Sequence, residues 1–100
     1  MRRYWNPDIS NENILPASEN FFIKKIQGLL KDCVSRRLMS DVPLGAYLSG
    51  GIDSSSVVAM MSMINKENGS KEEVKTFSVG FGYGEEIDEL RHAKSISEYF

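Results

Sequence analysis

An α/β fold is what this 100-residue sequence predicts: an incomplete parallel-sheet βαβα unit preceded by a helix. Three observations carry that prediction. Two short apolar runs, Leu44 to Leu48 and about Val74 to Phe81, are each followed by a stretch with helical apolar spacing. A longer stretch of the same spacing stands ahead of the first run. Between the first run and its helix lies Ser49-Gly50-Gly51-Ile52-Asp53-Ser54-Ser55, a turn of glycines and hydroxyls of the kind that joins a strand to a helix.

Each element follows from its residues. Met1 to Ala17 carries Pro7, Pro16 and several Asn and Asp residues, which predicts an extended or turning lead-in. Ser18 is placed to cap a helix whose apolar stripe is Phe22, Ile23, Ile26, Leu29, Leu30, Cys33, Val34 and Leu38. Lys24, Lys25, Lys31, Arg36 and Arg37 fall mostly off that stripe. Ser40-Asp41-Val42-Pro43 ends the helix and opens the loop into the first strand. The second helix, about Ser54 to Asn65, is apolar on most sides (Val57, Val58, Met60, Met61, Met63, Ile64), so it should be largely buried. Asn68-Gly69-Ser70 stops it. After the second strand and a glycine-rich acidic loop, Asp88 is positioned to cap a last helix with Leu90, Ala93, Ile96 and Phe100 on one face.

Parallel strands joined by a helical crossover present their C-terminal ends on the same side, where ligands bind in open α/β sheets. The glycine loop sits at that edge. Glycines let its backbone turn tightly and approach a ligand closely. The unpaired N–H groups and positive dipole of the following helix favour an anion. Ser54 and Ser55 add donors, and Asp53 adds a carboxylate able to hold Mg²⁺ beside the anion. The loop is not a Walker A site, because no Gly-Lys pair occurs in the chain. Cleavage between the α and β phosphates therefore suits it better than γ-phosphoryl transfer. The bland alternative is an ordinary Gly-Ser turn.

The run Arg37-Leu38-Met39-Ser40-Asp41-Val42-Pro43-Leu44-Gly45-Ala46-Tyr47-Leu48 and the loop after it resemble the nucleotide-binding segment of glutamine-hydrolysing asparagine synthetases. The S-G-G-x-D-S core is shared by the wider ATP pyrophosphatase superfamily. Ser-Asp-Val-Pro-x-Gly and the Leu before the loop point to the asparagine synthetase branch. Lys75 to Phe81, Asp88-Glu89 with Ala93, and Arg3-Tyr4-Trp5 are similar to further segments of that family, in its order. The resemblance implies an adenine-nucleotide alpha-hydrolase-like (Rossmann-like) domain over residues 18–100, with 1–17 as a linker. It also implies ATP as substrate, with Leu48 and Val79 flanking the adenine, Ser49, Gly50, Gly51, Asp53, Ser54 and Ser55 holding the phosphates, and Asp53 helping to bind Mg²⁺. The family's reaction activates aspartate as β-aspartyl-AMP, releases pyrophosphate, and amidates with ammonia from glutamine. The resemblance assigns no catalytic base or nucleophile to this segment. A glutaminase domain is the partner to expect, in the same chain or in trans, and a homodimer is left open.

From residues alone, Leu48 and Val79 read as strand core. His92 falls on the polar side of its helix and reads as a surface residue; Cys33 reads as a packed thiol. Glu85, Glu86, Asp88 and Glu89 read as helix capping and a solvated acidic turn, and Met60 to Met63 as core. Gly80, Gly82 and Gly84 give only G-x-G-x-G, with Glu85 where a dinucleotide fingerprint needs glycine.

Composition excludes other classes. Hydrophobic residues at 41% and charged residues at 26% are ordinary for a globular chain. A net charge of −2 argues against nucleic acid or membrane partners. A lone cysteine and no signal-type segment predict a cytoplasmic setting. Two strands are few for independent stability, which predicts a fragment inactive by itself. A related ATP-dependent amide former, β-lactam synthetase-like, and a non-catalytic truncated remnant are the alternatives.

Overall fold

The computed structural model describes residues 3–6, 18–80 and 89–100. Five elements run in the order α1 (Glu19–Ser35), β1 (Gly45–Tyr47), α2 (Ile52–Glu67), β2 (Lys75–Phe77) and α3 (Leu90–Tyr99). The expected helix and βαβα order is therefore present. The strands pair in parallel, with Gly45 opposite Lys75, Ala46 opposite Thr76 and Tyr47 opposite Phe77. Both are shorter than their apolar runs. The lead-in beyond residue 6 and the acidic loop with Asp88 lie outside the described residues.

Local chemistry sets the helix ends. Ser18 is extended (ψ 157°) and its hydroxyl accepts from the Phe21 N–H, so α1 begins where a cap was expected. At its C-terminus, the Arg37 guanidinium donates to the Cys33 carbonyl at 2.9 Å, satisfying an acceptor the helix leaves unpaired. Arg36 pairs with Asp32 one turn back, and that hydrogen bond raises the guanidinium pKa above its ordinary value. Helix α2 starts at Ile52, two residues before its sequence estimate. It stops at Asn68-Gly69, where Gly69 takes φ +71°.

Two clusters form the core. In one, Val34 of α1 packs against Met60, Met61 and Ile64 of α2, supported by Leu30 and Leu38. In the other, Leu48, Val58 and Ala93 join the end of β1 to α2 and α3, with Ile96 beside them. Half-buried Ala46 and Val74 touch both clusters. One sheet face is thereby covered; the other carries Tyr47 and Phe77, which are 82% and 57% exposed. Helix α2 matches its apolar composition, except that Val57 and Met63 are exposed and Ser62 is buried, its hydroxyl donating to the Phe100 carbonyl at 3.0 Å.

Helix α1 departs from expectation. Only Val34 of its stripe is buried, and Phe22, Ile23, Ile26 and Leu29 are exposed. Cys33, read as a packed thiol, is exposed too. The reason is geometric: α2 covers α1 near its C-terminal half, and among the described residues nothing covers the rest of the stripe.

Candidate nucleotide site

The loop after β1 lies at the C-terminal edge of the strands, as its place in the chain requires. Leu48 anchors it, with a side chain 2% exposed and an N–H donating to the Phe77 carbonyl at 2.9 Å. Gly50 takes φ +85°, a left-handed conformation that costs residues with a Cβ. It is also pressed against α3: a Cβ there would lie 2.5 Å from the His92 Cβ and 2.7 Å from the Ala93 nitrogen. Glycine is required twice over, by torsion and by space. His92 is an exposed residue whose Cβ and backbone close one side of the loop.

Hydroxyls hold the remaining curve. Ser54 Oγ accepts from the Ser49 N–H at 3.2 Å and donates to the Gly51 carbonyl at 3.2 Å. Ser49 Oγ lies 3.0 Å from Ser54 Oγ and accepts from the Gly51 N–H at 3.3 Å. One hydrogen per hydroxyl settles the direction, since Ser54 spends its own on Gly51 and Ser49 must donate to Ser54. The loop is thus preorganised by its own side chains.

The helix start beyond it is open to an anion. The first intrahelical bond is made by the Ser55 N–H to the Gly51 carbonyl at 3.0 Å. The N–H groups of Ile52, Asp53 and Ser54 precede that bond and have no intrahelical acceptor. Gly51 occupies the N-cap and offers no side chain to satisfy them. Ser55 Oγ is enclosed and has no hydrogen-bond partner among the described residues. An orphaned hydroxyl in the first turn, beside free N–H groups and a positive helix end, fits a phosphate oxygen.

Next to the loop is a cleft of about 310 Å³. Leu48, Ser49, Ser54, Phe77, Ser78, Val79, Glu89 and Leu90 line it. Of the residues expected to flank an adenine, Leu48 is core and Val79 is 64% exposed on the cleft wall, so Val79 is not the strand-core residue its composition suggested. A larger concavity of about 790 Å³ lies at the opposite, N-terminal strand edge, between 40–44 and 71–75. It lacks helix starts and glycine turns, and the chemistry favours the smaller cleft.

Asp53 is exposed in the first turn of α2. Among the described residues no group of three His, Cys, Asp or Glu side chains is arranged to hold a metal. A cation here would rest on Asp53 and on oxygens from the bound phosphate, which suits Mg²⁺. Sequence reasoning missed the cleft residues Phe77, Ser78, Glu89 and Leu90, two of them polar. Ser78 was hidden in an apolar strand, and Glu89, read as part of a capping acidic turn, occupies the N-cap of α3 with no side-chain cap bond. No helix among the described residues is long and apolar enough to cross a membrane.

Comparison with known proteins agrees with the motif reading. The family model described as asparagine synthase matches residues 25–100. The chain is 42% identical over 78 residues to a putative glutamine-hydrolysing asparagine synthetase 2 of Methanocaldococcus jannaschii, covering 78% of this chain and 14% of the relative. It is 36% identical over 99 residues to the glutamine-hydrolysing asparagine synthetase of Asparagus officinalis, covering 98% of this chain and 16% of that one. Against the amidase chry2 of Gibberella zeae it is 33% identical over 108 residues, covering 96% and 16% respectively. The chain thus spans about a sixth of the length of these relatives or less. With motif, element order and family match in agreement over most of its length, the chain belongs to the asparagine synthase family.

Proposed function

We propose that the glycine loop and its cleft bind ATP with Mg²⁺, as the nucleotide-binding segment of an asparagine synthetase. In this reading aspartate is activated as β-aspartyl-AMP, pyrophosphate leaves, and ammonia released from glutamine by a separate glutaminase domain displaces AMP. The observation that carries it is the first turn of α2. Three N–H groups with no intrahelical acceptor, the Ser55 hydroxyl, partnerless among the described residues, and Gly50 at φ +85° together make a preformed anion cup at the strands' carboxyl edge.

The residues act by position and charge. Fixed N–H donors disperse the charge that grows on the departing pyrophosphate without reorganising, where water would have to. The Ser49–Ser54 hydroxyl pair keeps the loop in shape while the nucleotide enters. The exposed Val79 gives the base an apolar wall, and the buried Leu48 side chain anchors the loop beside it. Asp53 holds the cation, which when bound would neutralise phosphate charge as a Lewis acid. Nothing at the site acts as a nucleophile, because the attacking carboxylate belongs to aspartate.

Isothermal titration of ATP with Mg²⁺ into the chain and into Asp53→Ala tests the reading. The expected result is binding to the parent, weakened by about tenfold or more in the variant, the size of a lost charged contact. Equal absence of binding in both would overturn it. The match to an amidase favours a second reading, in which the same loop activates a different carboxylate. Pyrophosphate release measured with aspartate against a panel of other carboxylic acids separates the two.

A further inference from the structure

The C-terminal strand edge contains a hydrogen bond that strand pairing does not require. With Tyr47 opposite Phe77, the bond from the Leu48 N–H to the Phe77 carbonyl would be followed, in a regular parallel ladder, by one from the Val79 N–H to the Leu48 carbonyl. No backbone bond joins Val79 to Leu48 among the described residues. Instead the Ser78 hydroxyl donates to the Leu48 carbonyl at 2.6 Å. A side chain has taken the acceptor that would have kept β2 in the ladder. The strand stops at Phe77, and Val79 stands on the cleft wall, 64% exposed.

We infer that Ser78 is a positioning residue of the nucleotide cleft. Its hydroxyl satisfies the Leu48 carbonyl, keeps the two strand ends from zipping further, and leaves the Val79 N–H outside the ladder. The inference rests on the nucleotide reading above and adds a residue to it. Alanine at 78 removes the competing donor and returns the Leu48 carbonyl to the Val79 N–H, because an unpaired carbonyl at so enclosed a residue is costly. The cleft then narrows. Threonine keeps the hydroxyl and suits an extended backbone.

Amide hydrogen exchange, read by NMR on the whole chain as parent, Ser78→Ala and Ser78→Thr, reports the ladder directly. Titration of the same three proteins with ATP and Mg²⁺ reports the cleft. The Val79 amide should exchange rapidly in the parent and in Ser78→Thr, and about tenfold or more slowly in Ser78→Ala. ATP affinity should fall about tenfold in Ser78→Ala and recover in Ser78→Thr, the scale of one hydrogen bond. Indistinguishable Val79 exchange in the three proteins overturns the inference, as does unchanged ATP affinity in an alanine variant whose Val79 amide has slowed. Failure of the parent to bind ATP overturns the nucleotide reading instead, while the exchange pattern still decides what Ser78 does to the ladder.

Discussion

The loop edge of the sheet and the outer face of α1 are built on opposite terms. At the loop, polar groups find partners within a few residues along the chain: Ser49 meets Ser54, and Ser54 meets Gly51. Gly50 and Leu48 then lock against α3 and α2. On α1, Phe22, Ile23, Ile26 and Leu29 repeat at the three- and four-residue spacing of a buried face, yet each is more than 40% exposed. Spacing specifies which side of a helix is apolar. It does not specify what lies against that side. The loop is a local device and can be finished locally; the stripe needs a surface supplied from elsewhere.

That contrast breaks most visibly at Gly50. Valine there must adopt φ +85° with a branched Cβ, and that Cβ must enter the space of the His92 Cβ and the backbone of α3. Helix backbone cannot step aside as a flexible side chain can. Left-handed strain and overpacking together should destabilise by about 4 kcal/mol. In a urea titration followed by circular dichroism, the expected sign is an early loss of helix signal, with α3 amides exchanging first. A Gly50→Val variant with the parent's midpoint would mean that the loop and α3 are not in contact.

Leu48 comes next. Its side chain is 2% exposed against Val58 and Ala93. Leu48→Ala removes three carbons from a site where both helices are held by other contacts, so the cavity collapses only in part. The loss should be about 3 kcal/mol, read as a lowered urea midpoint with an unchanged slope. A loss below about 1 kcal/mol would show that the core at the loop is no better packed than the stripe on α1.

Particular residues show where the sequence was a sufficient guide. Ser18 as a cap, Asn68-Gly69 as a stop, the strand-to-helix glycine turn and the parallel order are decided by torsional preference and hydrogen-bond geometry within a few residues, and those are readable. Cys33 was misread because its burial depends on how far α2 extends over α1, a tertiary quantity. Val79 was misread for a related reason. Its apolar neighbours argue for a strand to about Phe81, but the Ser78 hydroxyl takes the Leu48 carbonyl and the strand ends at Phe77. Serine inside an apolar run was the available signal. Glu89 was assigned to a capping turn, and only the placement of α3 beside Val79 puts it on the cleft.

The smallest effect is the most discriminating, because it falls where apolar spacing alone would predict a large one. Ile26 sits at the middle of the α1 stripe and is 63% exposed. Were the stripe a packed core, Ile26→Ala would cost about 2–5 kcal/mol. With most of the side chain in water, little apolar area is lost on truncation. Alanine is also the better helix former by about 0.4 kcal/mol, since it gives up no side-chain freedom in the helix. The two terms nearly cancel, so the urea midpoint should stay within about 0.5 kcal/mol of the parent. A core-sized loss would place a covering surface over α1 and remove the difference between the two regions. A null result, set beside the loss at Leu48, would locate the stability of this chain at the strand edge that carries the loop.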